Sequence, residues 1–220
     1  MRLVTTSLVL AGLALGAPVP ALAAEGAPAL VETFEGYAEG EPGFRRFVAL
    51  GRSGPWLGEI RDGAYVLSNR EEASAVKYFY VEQVPGMTEA GLRRAIVEVE
   101  VGGDYAGERA AAGLIYGLDP ARGVYLLFTL LGTDEYALFG RALDGFHTLA
   151  RGTNPAIRAE GPNRLGIRPR AERVELLVNG ETIGAFALQG QELPGRATGI
   201  AALGTGEFRF DNFKITAGDG

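Results

Sequence analysis

Alternation of apolar and polar residues is the dominant pattern in the second half of the chain. Val174, Leu176 and Val178 alternate with other residues, and a period of two predicts a strand with one buried face. Asn179-Gly180 then separates this run from the next one. An Asn-Gly pair favours a type I′ turn, because both central residues of that turn adopt positive φ. The segment therefore predicts a β-hairpin inside a larger antiparallel sheet.

The rest of the chain repeats this pattern, with short β-branched or aromatic runs separated by Gly, Asp-Gly or Pro. Such spacing is typical of a sandwich or a barrel. The predicted strands include 30–34, 44–50, 76–82, 92–101, 111–116, 124–131 and 207–215. The runs 111–116 and 124–131 are almost wholly apolar, so we place them centrally, with both faces covered. Helical turns are expected only at 87–91 and 154–159. The pattern predicts one all-β domain.

The first residues have the features of a secretory signal. Arg2 is a positive n-region, Leu3–Leu15 is a short apolar stretch, and Ala21-Leu22-Ala23 matches an A-x-A cleavage site. We expect residues 1–23 to be removed and residues 24–220 to form a single β-sandwich domain that is exported to the periplasm or the extracellular space. No later segment approaches the ~18 apolar residues of a spanning helix, so membrane insertion is not expected.

Composition narrows the classes of partner. The chain contains no cysteine, which excludes disulfides and thiolate metal sites. The 27 acidic residues outnumber the 21 basic ones. Nucleic-acid binding depends on clustered cations, so no nucleic-acid partner is expected. Neither the ligand's identity nor an oligomeric state follows from this pattern.

A series of motifs resembles a known superfamily. The motifs are AGLIYG at 112–117, GVYLLFTL at 123–130, NRLGIR at 163–168, LLVNGE at 176–181 and FRFDNFKI at 208–215. In this order they resemble the concanavalin A-like lectin/glucanase superfamily, and more narrowly the bacterial laminin-G-like, 3-keto-disaccharide hydrolase-like or glycoside hydrolase family 16-like domains. The resemblance implies an antiparallel two-sheet jelly-roll sandwich, often with a carbohydrate groove on its concave sheet. Because the motifs are structural, they indicate a fold better than an activity.

Glu98 and Glu100 are the candidate catalytic pair. Residues two apart on a strand share a face at roughly 6.5–7 Å, and glycoside hydrolysis uses two carboxylates roughly 5–9.5 Å apart. The family-16 motif is Glu-x-Asp-x-x-Glu; here Glu100 replaces the Asp, and the final Glu is missing. The alternative is that both glutamates line the solvated face of a one-sided sheet. We therefore expect binding rather than catalysis.

Aromatic and planar polar side chains are the candidate ligand-binding residues, because sugar rings stack on aromatic faces and sugar hydroxyls need hydrogen-bond partners. Tyr78 and Tyr80 share one face of their strand, and they form an open platform if Phe79 is in the core. The opposite assignment places both tyrosines in the core. The ligand-binding set that we predict is Trp56, Tyr78, Tyr80, Tyr116, Tyr125, Arg141, His147 and Arg168.

The basic members of this set have simpler alternatives. Arginine can bind sugar hydroxyls or a uronic carboxylate through its forked donors, but Arg141 and Arg168 can equally be solvated and ion-paired. His147 is the only histidine, so zinc chemistry is not expected. Its alternation with Phe146 predicts a position on a surface or groove face.

No cofactor is expected, apart from a structural calcium ion. Sandwich domains of the type that the chain resembles often bind Ca²⁺ away from the groove, through carboxylates and carbonyls. Glu35 and Asp211 are the candidate ligands if the first and last strands pair.

The sequence leaves three functional hypotheses. We expect an exported, non-catalytic carbohydrate-binding or glycan-recognition domain. The alternatives are a glycoside hydrolase or lyase that acts on a disaccharide or polysaccharide, and a structural or protein-interaction domain of the cell envelope. A concave sheet that carries Tyr78, Tyr80 and Tyr125 favours the first hypothesis, whereas a flat or convex sheet without an aromatic cluster favours the last.

Overall fold

The computed structural model describes residues 28–35, 47–188 and 195–218. These residues form fifteen strands and one short helix. In chain order they are β1 (Pro28–Glu32), β2 (Gly51–Ser53), β3 (Trp56–Arg61), β4 (Ala64–Asn69), β5 (Val76–Val81), α1 (Glu89–Arg93), β6 (Ile96–Tyr105), β7 (Ala111–Asp119), β8 (Val124–Leu131), β9 (Glu135–Ala142), β10 (Gly145–Thr153), β11 (Asn163–Pro169), β12 (Arg173–Val178), β13 (Glu181–Ala187), β14 (Ala197–Leu203) and β15 (Gly206–Thr216). The all-β prediction is confirmed. Within the described ranges, no helix is long and apolar enough to cross a membrane.

The strands form two antiparallel sheets. The nine-stranded sheet has the order β13-β12-β11-β6-β15-β4-β3-β2, with β1 also paired to β15. The six-stranded sheet has the order β10-β9-β8-β7-β14-β5. The turn between β12 and β13 is the predicted Asn179-Gly180 pair, and its φ angles are 53° and 88°. Both residues are therefore left-handed, as a type I′ turn requires.

The main hydrophobic core lies between the two sheets. The nine-stranded sheet contributes Val97, Val99 and Val101 from β6, with Phe208 and Phe210 from β15, all of them buried. The six-stranded sheet contributes an equivalent set from its inner face, namely Leu114, Tyr116, Leu126, Phe128, Leu138 and Ile200. Each such side chain contributes about 1.5–3 kcal/mol on burial, so this layer of alternating residues holds the sheets together.

A second apolar cluster covers the outer face of the six-stranded sheet. It comprises Ile115, Leu118, Tyr125, Leu127, Ala197 and Ala201, and Phe139 and Leu203 pack against it. Strands β7 and β8 are therefore apolar on both faces and lie at the centre of their sheet, as expected. The nine-stranded sheet differs, because its outer face carries charged side chains such as Glu98 and Arg164.

Three local expectations have mixed outcomes. The predicted strand 44–50 begins outside the described residues, and its described part, Phe47 to Leu50, is not a strand. The helical turn expected at 87–91 corresponds to α1, where the Thr88 hydroxyl accepts the Gly91 N–H at 3.0 Å as an N-cap. The helical turn expected at 154–159 is wrong, because these residues form turns instead. The predicted signal segment, 1–23, lies outside the described residues.

Candidate functional site

Aromatic side chains form a cluster on the outer face of the six-stranded sheet. Tyr78 and Tyr80 lie on its edge strand β5, while Phe79 between them points into the main core. Tyr125 is on β8, and Phe139 and Phe146 are on β9 and β10. We call these five residues, Tyr78, Tyr80, Tyr125, Phe139 and Phe146, the aromatic face. They belong to four different strands, so their arrangement depends on the sheet and not on any single loop.

Ring-to-ring contacts run across this face. The Tyr78 ring centroid lies 6.2 Å from that of Tyr80 and 5.9 Å from that of Tyr125. The Phe146 centroid lies 6.1 Å from Tyr125 and 6.5 Å from Phe139, both in edge-to-face geometry. Separations of this size are typical of favourable aromatic pairs. The five rings therefore form one continuous apolar surface.

Small residues beneath the rings explain this contact between distant strands. Tyr78 is paired with Ala201, and Ala201 is paired with Gly113. Gly199 is paired with Tyr80, and a Cβ on Gly199 would lie only 2.7 Å from the Tyr80 Cα. Because β14 and β7 present so little side-chain volume here, the Tyr78 ring reaches across them to the Tyr125 ring on β8.

The exposed parts of the aromatic face are its two ends. Tyr78, Tyr80 and Phe146 are 38%, 37% and 43% exposed, whereas Tyr125 is only 5% exposed. Burial, and to a lesser extent the neighbouring Tyr78, raise the pKa of Tyr125 to about 12, while Arg141 acts in the opposite direction. The Tyr125 hydroxyl is therefore protonated at neutral pH. The Arg141 guanidinium lies 5.3 Å from the Phe146 ring centroid, a cation–π contact.

A cavity of about 360 Å³ continues the aromatic face along the same sheet. Its apolar lining consists of Phe139, Phe146, Leu131 and Leu203, with Ala111 between them. Charged and hydroxyl side chains border it, namely Ser74, Glu108, Arg109 and Arg151. Arg151 is held by Glu135 through two hydrogen bonds of 2.6 and 2.7 Å. The combination of apolar rings and convergent polar groups is typical of a small-ligand site.

The structure brings together four of the predicted ligand-binding residues: Tyr78, Tyr80, Tyr125 and Arg141. Two others are buried in the main core. Trp56 is 3% exposed and packs 6.1 Å from the Phe208 ring. Tyr116 is fully buried, with its hydroxyl 2.9 Å from the carbonyls of Arg93 and Ala95. Both rings lie between the two sheets, away from the aromatic face.

His147 and Arg168 lie away from the aromatic face. Phe146 is paired with Arg141 and points to the outer face, so His147, the next residue on β10, points the other way. Its Nε2 lies 2.9 Å from an Asp144 carboxylate oxygen at the hairpin end. Arg168 is on β11 of the nine-stranded sheet, 3.7 Å from Glu175.

Phe139 and Phe146 are the members of the aromatic face that the sequence prediction missed. The sequence did contain a signal for these two residues. Phe139 and Arg141 are two apart on one strand and share its face, and the Asp144-Gly145 turn brings Phe146 back opposite them. Which side chains of β10 point away from the core depends on the position of β10 at the edge of its sheet and on the bulge after Thr148. Neither feature is visible in the residue pattern.

Glu98 and Glu100 share one face of β6, as predicted. That face belongs to the nine-stranded sheet, whereas the aromatic face belongs to the six-stranded sheet. Glu98 lies 3.9 Å from Arg164, and Glu100 accepts a hydrogen bond from the Asn212 amide at 3.2 Å. The structure thus separates the carboxylate pair from the aromatic face by the thickness of the sandwich.

The candidate calcium ligands lie beside this pair. Strand β1 pairs with β15, which brings Glu35 near Asp211. Burial raises the pKa of Asp211 and so do the charges of Glu100 and Glu35, while the Asn212 N–H and Arg209 lower it. Among the described residues, no group of three or more His, Cys, Asp or Glu side chains is placed to hold a metal ion. A structural calcium ion stays a prediction.

Comparison with known proteins finds similarity in structure alone. No protein-family model and no curated protein matches the chain. A protein of unknown function with a galectin-like fold from Bacillus subtilis matches with 15% identity and a TM-score of 0.58, covering 89% of this chain and 99% of that one. Bacillus licheniformis β-glucanase matches with 11% identity and a TM-score of 0.57, covering 86% and 98%. The catalytic domain of an endo-1,3-β-glucanase (laminarinase) from Thermotoga petrophila matches with 11% identity and a TM-score of 0.53, covering 87% and 91%.

At these identities the likeness shows the fold. The chain is a concanavalin A-like jelly-roll sandwich, as the motifs predicted.

Proposed function

We propose that the protein is an exported glycan-binding domain and that its aromatic face holds the sugar rings without cleaving them. The observation that carries this proposal is the continuous contact of Tyr78, Tyr80, Tyr125, Phe139 and Phe146 on one sheet face, beside an apolar cavity. Exposed aromatic clusters are costly in water and mark binding surfaces. The presence of β-glucanase and galectin-like folds among the similar structures supports a saccharide as the ligand.

The polar groups at the margins suit sugar hydroxyls. Arg141 contacts the Phe146 ring, and Arg109 and Arg151 border the cavity that Phe146 also lines. Rings stack on the apolar C–H faces of a pyranose, while such donors orient its oxygens.

Phe146 and His147 make a matched pair of variants, because they are adjacent but point to opposite sides of β10. Phe146→Ala removes one exposed ring, and we expect a loss of about 1–2 kcal/mol, or roughly 5- to 30-fold in Kd. His147→Ala should change Kd by less than twofold. Binding is measured by calorimetry and by affinity electrophoresis against laminarin, barley β-glucan and lactose.

Failure of all three saccharides and of a broad glycan array to bind at millimolar concentration would overturn the proposal. It would favour the protein-interaction alternative. Equal loss in the two variants would show that the hairpin matters, but not the aromatic face.

We favour binding over hydrolysis because the central strands of this sheet present no carboxylate on its outer face. The outward residues of the central strands β7 and β8 on the aromatic face are Ala111, Gly113, Ile115, Tyr125, Leu127, Thr129 and Leu131, and none of these is a carboxylate. Release of reducing ends from a bound glucan, abolished in Glu98→Gln and Glu100→Gln, would reverse this conclusion.

Export is part of the proposal and has its own test. Expression of the full chain in a bacterial host should yield a mature protein that begins at Ala24, as found by intact mass. A protein that retains Met1 and stays in the cytoplasm would contradict it.

A further inference from the structure

The cavity beside the aromatic face has a floor that the strand register defines. Val76 on β5 is paired with Leu203 on β14. Leu203 is paired in turn with Ala111 on β7, and Ala111 is paired with Leu131 on β8. Residues directly opposite one another on antiparallel strands share a face of the sheet, so these side chains form one row across four strands. All four residues line the cavity, and we call them the aliphatic row.

The aliphatic row is a long apolar surface that still contacts water. Neighbouring strands are about 4.8 Å apart, so a row across four strands is roughly 14 Å long. Val76, Leu131 and Leu203 are only partly buried. Phe139 and Phe146 line the same cavity, with their ring centroids 6.5 Å apart. Exposed apolar surface is costly in water, so this cavity favours an apolar occupant.

Polar side chains at the border of the cavity already have partners in the protein. The Nε and Nη2 of Arg151 donate to the two carboxylate oxygens of Glu135 at 2.6 and 2.7 Å. The Ser74 hydroxyl donates to the Glu72 carboxylate at 3.1 Å. Further polar lining residues are exposed and lie on the loop between β6 and β7, namely Glu108 and Arg109. None of these polar side chains belongs to the aliphatic row.

The backbone that lines the cavity beside β5 is also hydrogen-bonded. The Gly204 N–H donates to the Ala75 carbonyl at 3.0 Å, and the Asn69 Nδ2 donates to the Gly204 carbonyl at 2.7 Å. This side of the cavity is thus fixed before a ligand arrives, which lowers the entropic cost of binding. A sugar ring placed on the aliphatic row would lose water from its hydroxyls without gaining partners there, and that loss is costly. An alkyl chain needs no such partners.

We propose that the cavity binds an alkyl chain and that the ligand is an amphiphilic glycan, a saccharide that carries an alkyl or acyl chain. The saccharide part of this inference rests on the proposed function. Phe139 and Phe146 belong both to the aromatic face and to the lining of the cavity. One ligand can therefore place its sugar rings on the aromatic face and its chain along the aliphatic row.

Calorimetry on the mature chain with methyl, butyl, hexyl and octyl β-glucoside tests the chain directly, because the sugar is the same in all four. Each glucoside is used below its micelle-forming concentration. Complete burial of one methylene corresponds to a factor of about four in Kd. We therefore expect Kd to fall by about two- to fourfold per methylene from the butyl to the octyl compound. Equal affinity for methyl and octyl glucoside, or no binding of octyl glucoside at millimolar concentration, would overturn the inference.

Two leucines provide a matched pair of variants. Leu203 belongs to the aliphatic row, whereas Leu143, at the turn between β9 and β10, is 72% exposed and does not line the cavity. Leu203→Gln should weaken the binding of octyl glucoside at least fivefold, and Leu143→Gln should leave it unchanged. Val76→Thr, on the edge strand β5, is a milder variant that keeps the side-chain shape and should weaken binding about two- to fourfold. Equal loss in the two leucine variants, or no loss in either Leu203→Gln or Val76→Thr, would contradict the assignment of the chain to this cavity.

Laminarin binding separates this inference from the proposed function. Leu203→Gln should bind laminarin with the Kd of the wild type, because laminarin carries no alkyl chain. If laminarin binds but the affinity for the glucosides is independent of chain length, the inference fails and the proposed function stands. If the glucosides bind with the expected dependence on chain length but no glycan without a chain binds, the cavity assignment stands and the proposed function fails.

Discussion

Two buried threonines in the six-stranded sheet should respond in opposite ways to the same substitution. Thr129 on β8 is 0% exposed beneath the aromatic face, and its hydroxyl has no hydrogen-bond partner among the described residues. Thr198 on β14 is 1% exposed, but its hydroxyl donates to the Ile115 carbonyl at 2.7 Å, beside a bulge in the β14–β7 pairing. Valine has the same shape as threonine and differs only by a methyl group in place of the hydroxyl. The substitution therefore isolates the hydrogen bond.

The magnitudes follow from the two environments. At 129 the change removes an unpaired buried hydroxyl, which costs about 1–3 kcal/mol, so Thr129→Val should raise the free energy of unfolding by about 1–2 kcal/mol. At 198 it removes a hydrogen bond and leaves a buried carbonyl without that donor, so Thr198→Val should lower it by about 1 kcal/mol. For a domain of this size each kcal/mol corresponds to roughly 2–4 °C in Tm.

Urea unfolding followed by fluorescence measures both variants, with equal m values required for the comparison. The matched variant Thr198→Val is the control for a general effect of valine in a strand. If Thr129→Val destabilises as much as Thr198→Val does, the hydroxyl of Thr129 has a partner in solution. Water would then reach the outer face of the sheet at Thr129, and the apolar cluster would not exclude it.

Three further predictions concern single sites. Asn69 is buried and donates to the Gly204 and Glu72 carbonyls, both at 2.7 Å. Asn69→Ala should therefore lower the free energy of unfolding by about 2–4 kcal/mol in urea titrations. A decrease below about 0.5 kcal/mol would contradict this prediction. The folded pKa of Asp211 is raised above its ordinary 3.8, so its contribution to stability is present below that pH and lost as pH rises through the folded pKa. Asp211→Asn should therefore raise Tm at pH 7 in the presence of a chelator and leave Tm unchanged at pH 3. If Asp211→Asn instead lowers Tm only when calcium is added, that result would support the predicted calcium ion. A Cβ on Gly58 would lie 2.5 Å from the Tyr65 hydroxyl, so Gly58→Ala should cost about 1–3 kcal/mol, and an unchanged urea midpoint would contradict it.

Much of the fold follows from local patterns in the sequence. The alternation around Val97 and Val174 predicts one-sided strands, and both residues are fully buried in the main core. Asn179-Gly180 predicts a turn with positive φ at two successive residues, which the structure has. These features succeed because each depends on neighbours in the chain. The turns at 154–159 escaped prediction, since amide hydrogen bonds from Asn163 and Asn179 shape that loop from a distance.

The candidate site was harder to predict, because a strand pattern shows which residues share a face but not which layer that face belongs to. Tyr78 and Tyr80 were correctly grouped, but Trp56 and Tyr116 have the same amphipathic character and lie in the core. Likewise, Glu98 and Glu100 share a face that points away from the aromatic residues. The register across β8, β9 and β10 decides these positions, and it brings Arg141 beside both Tyr125 and Phe146.

We propose that the ligand binds on the outer face of the six-stranded sheet. Chemical-shift mapping of the ¹⁵N-labelled mature domain during titration with laminarihexaose tests it most directly. We expect perturbations to concentrate at Tyr78, Tyr80, Tyr125 and Phe146, with little change on β6 and β11. Perturbations centred instead on Glu98 and Glu100 would contradict the account and favour the opposite sheet as the site.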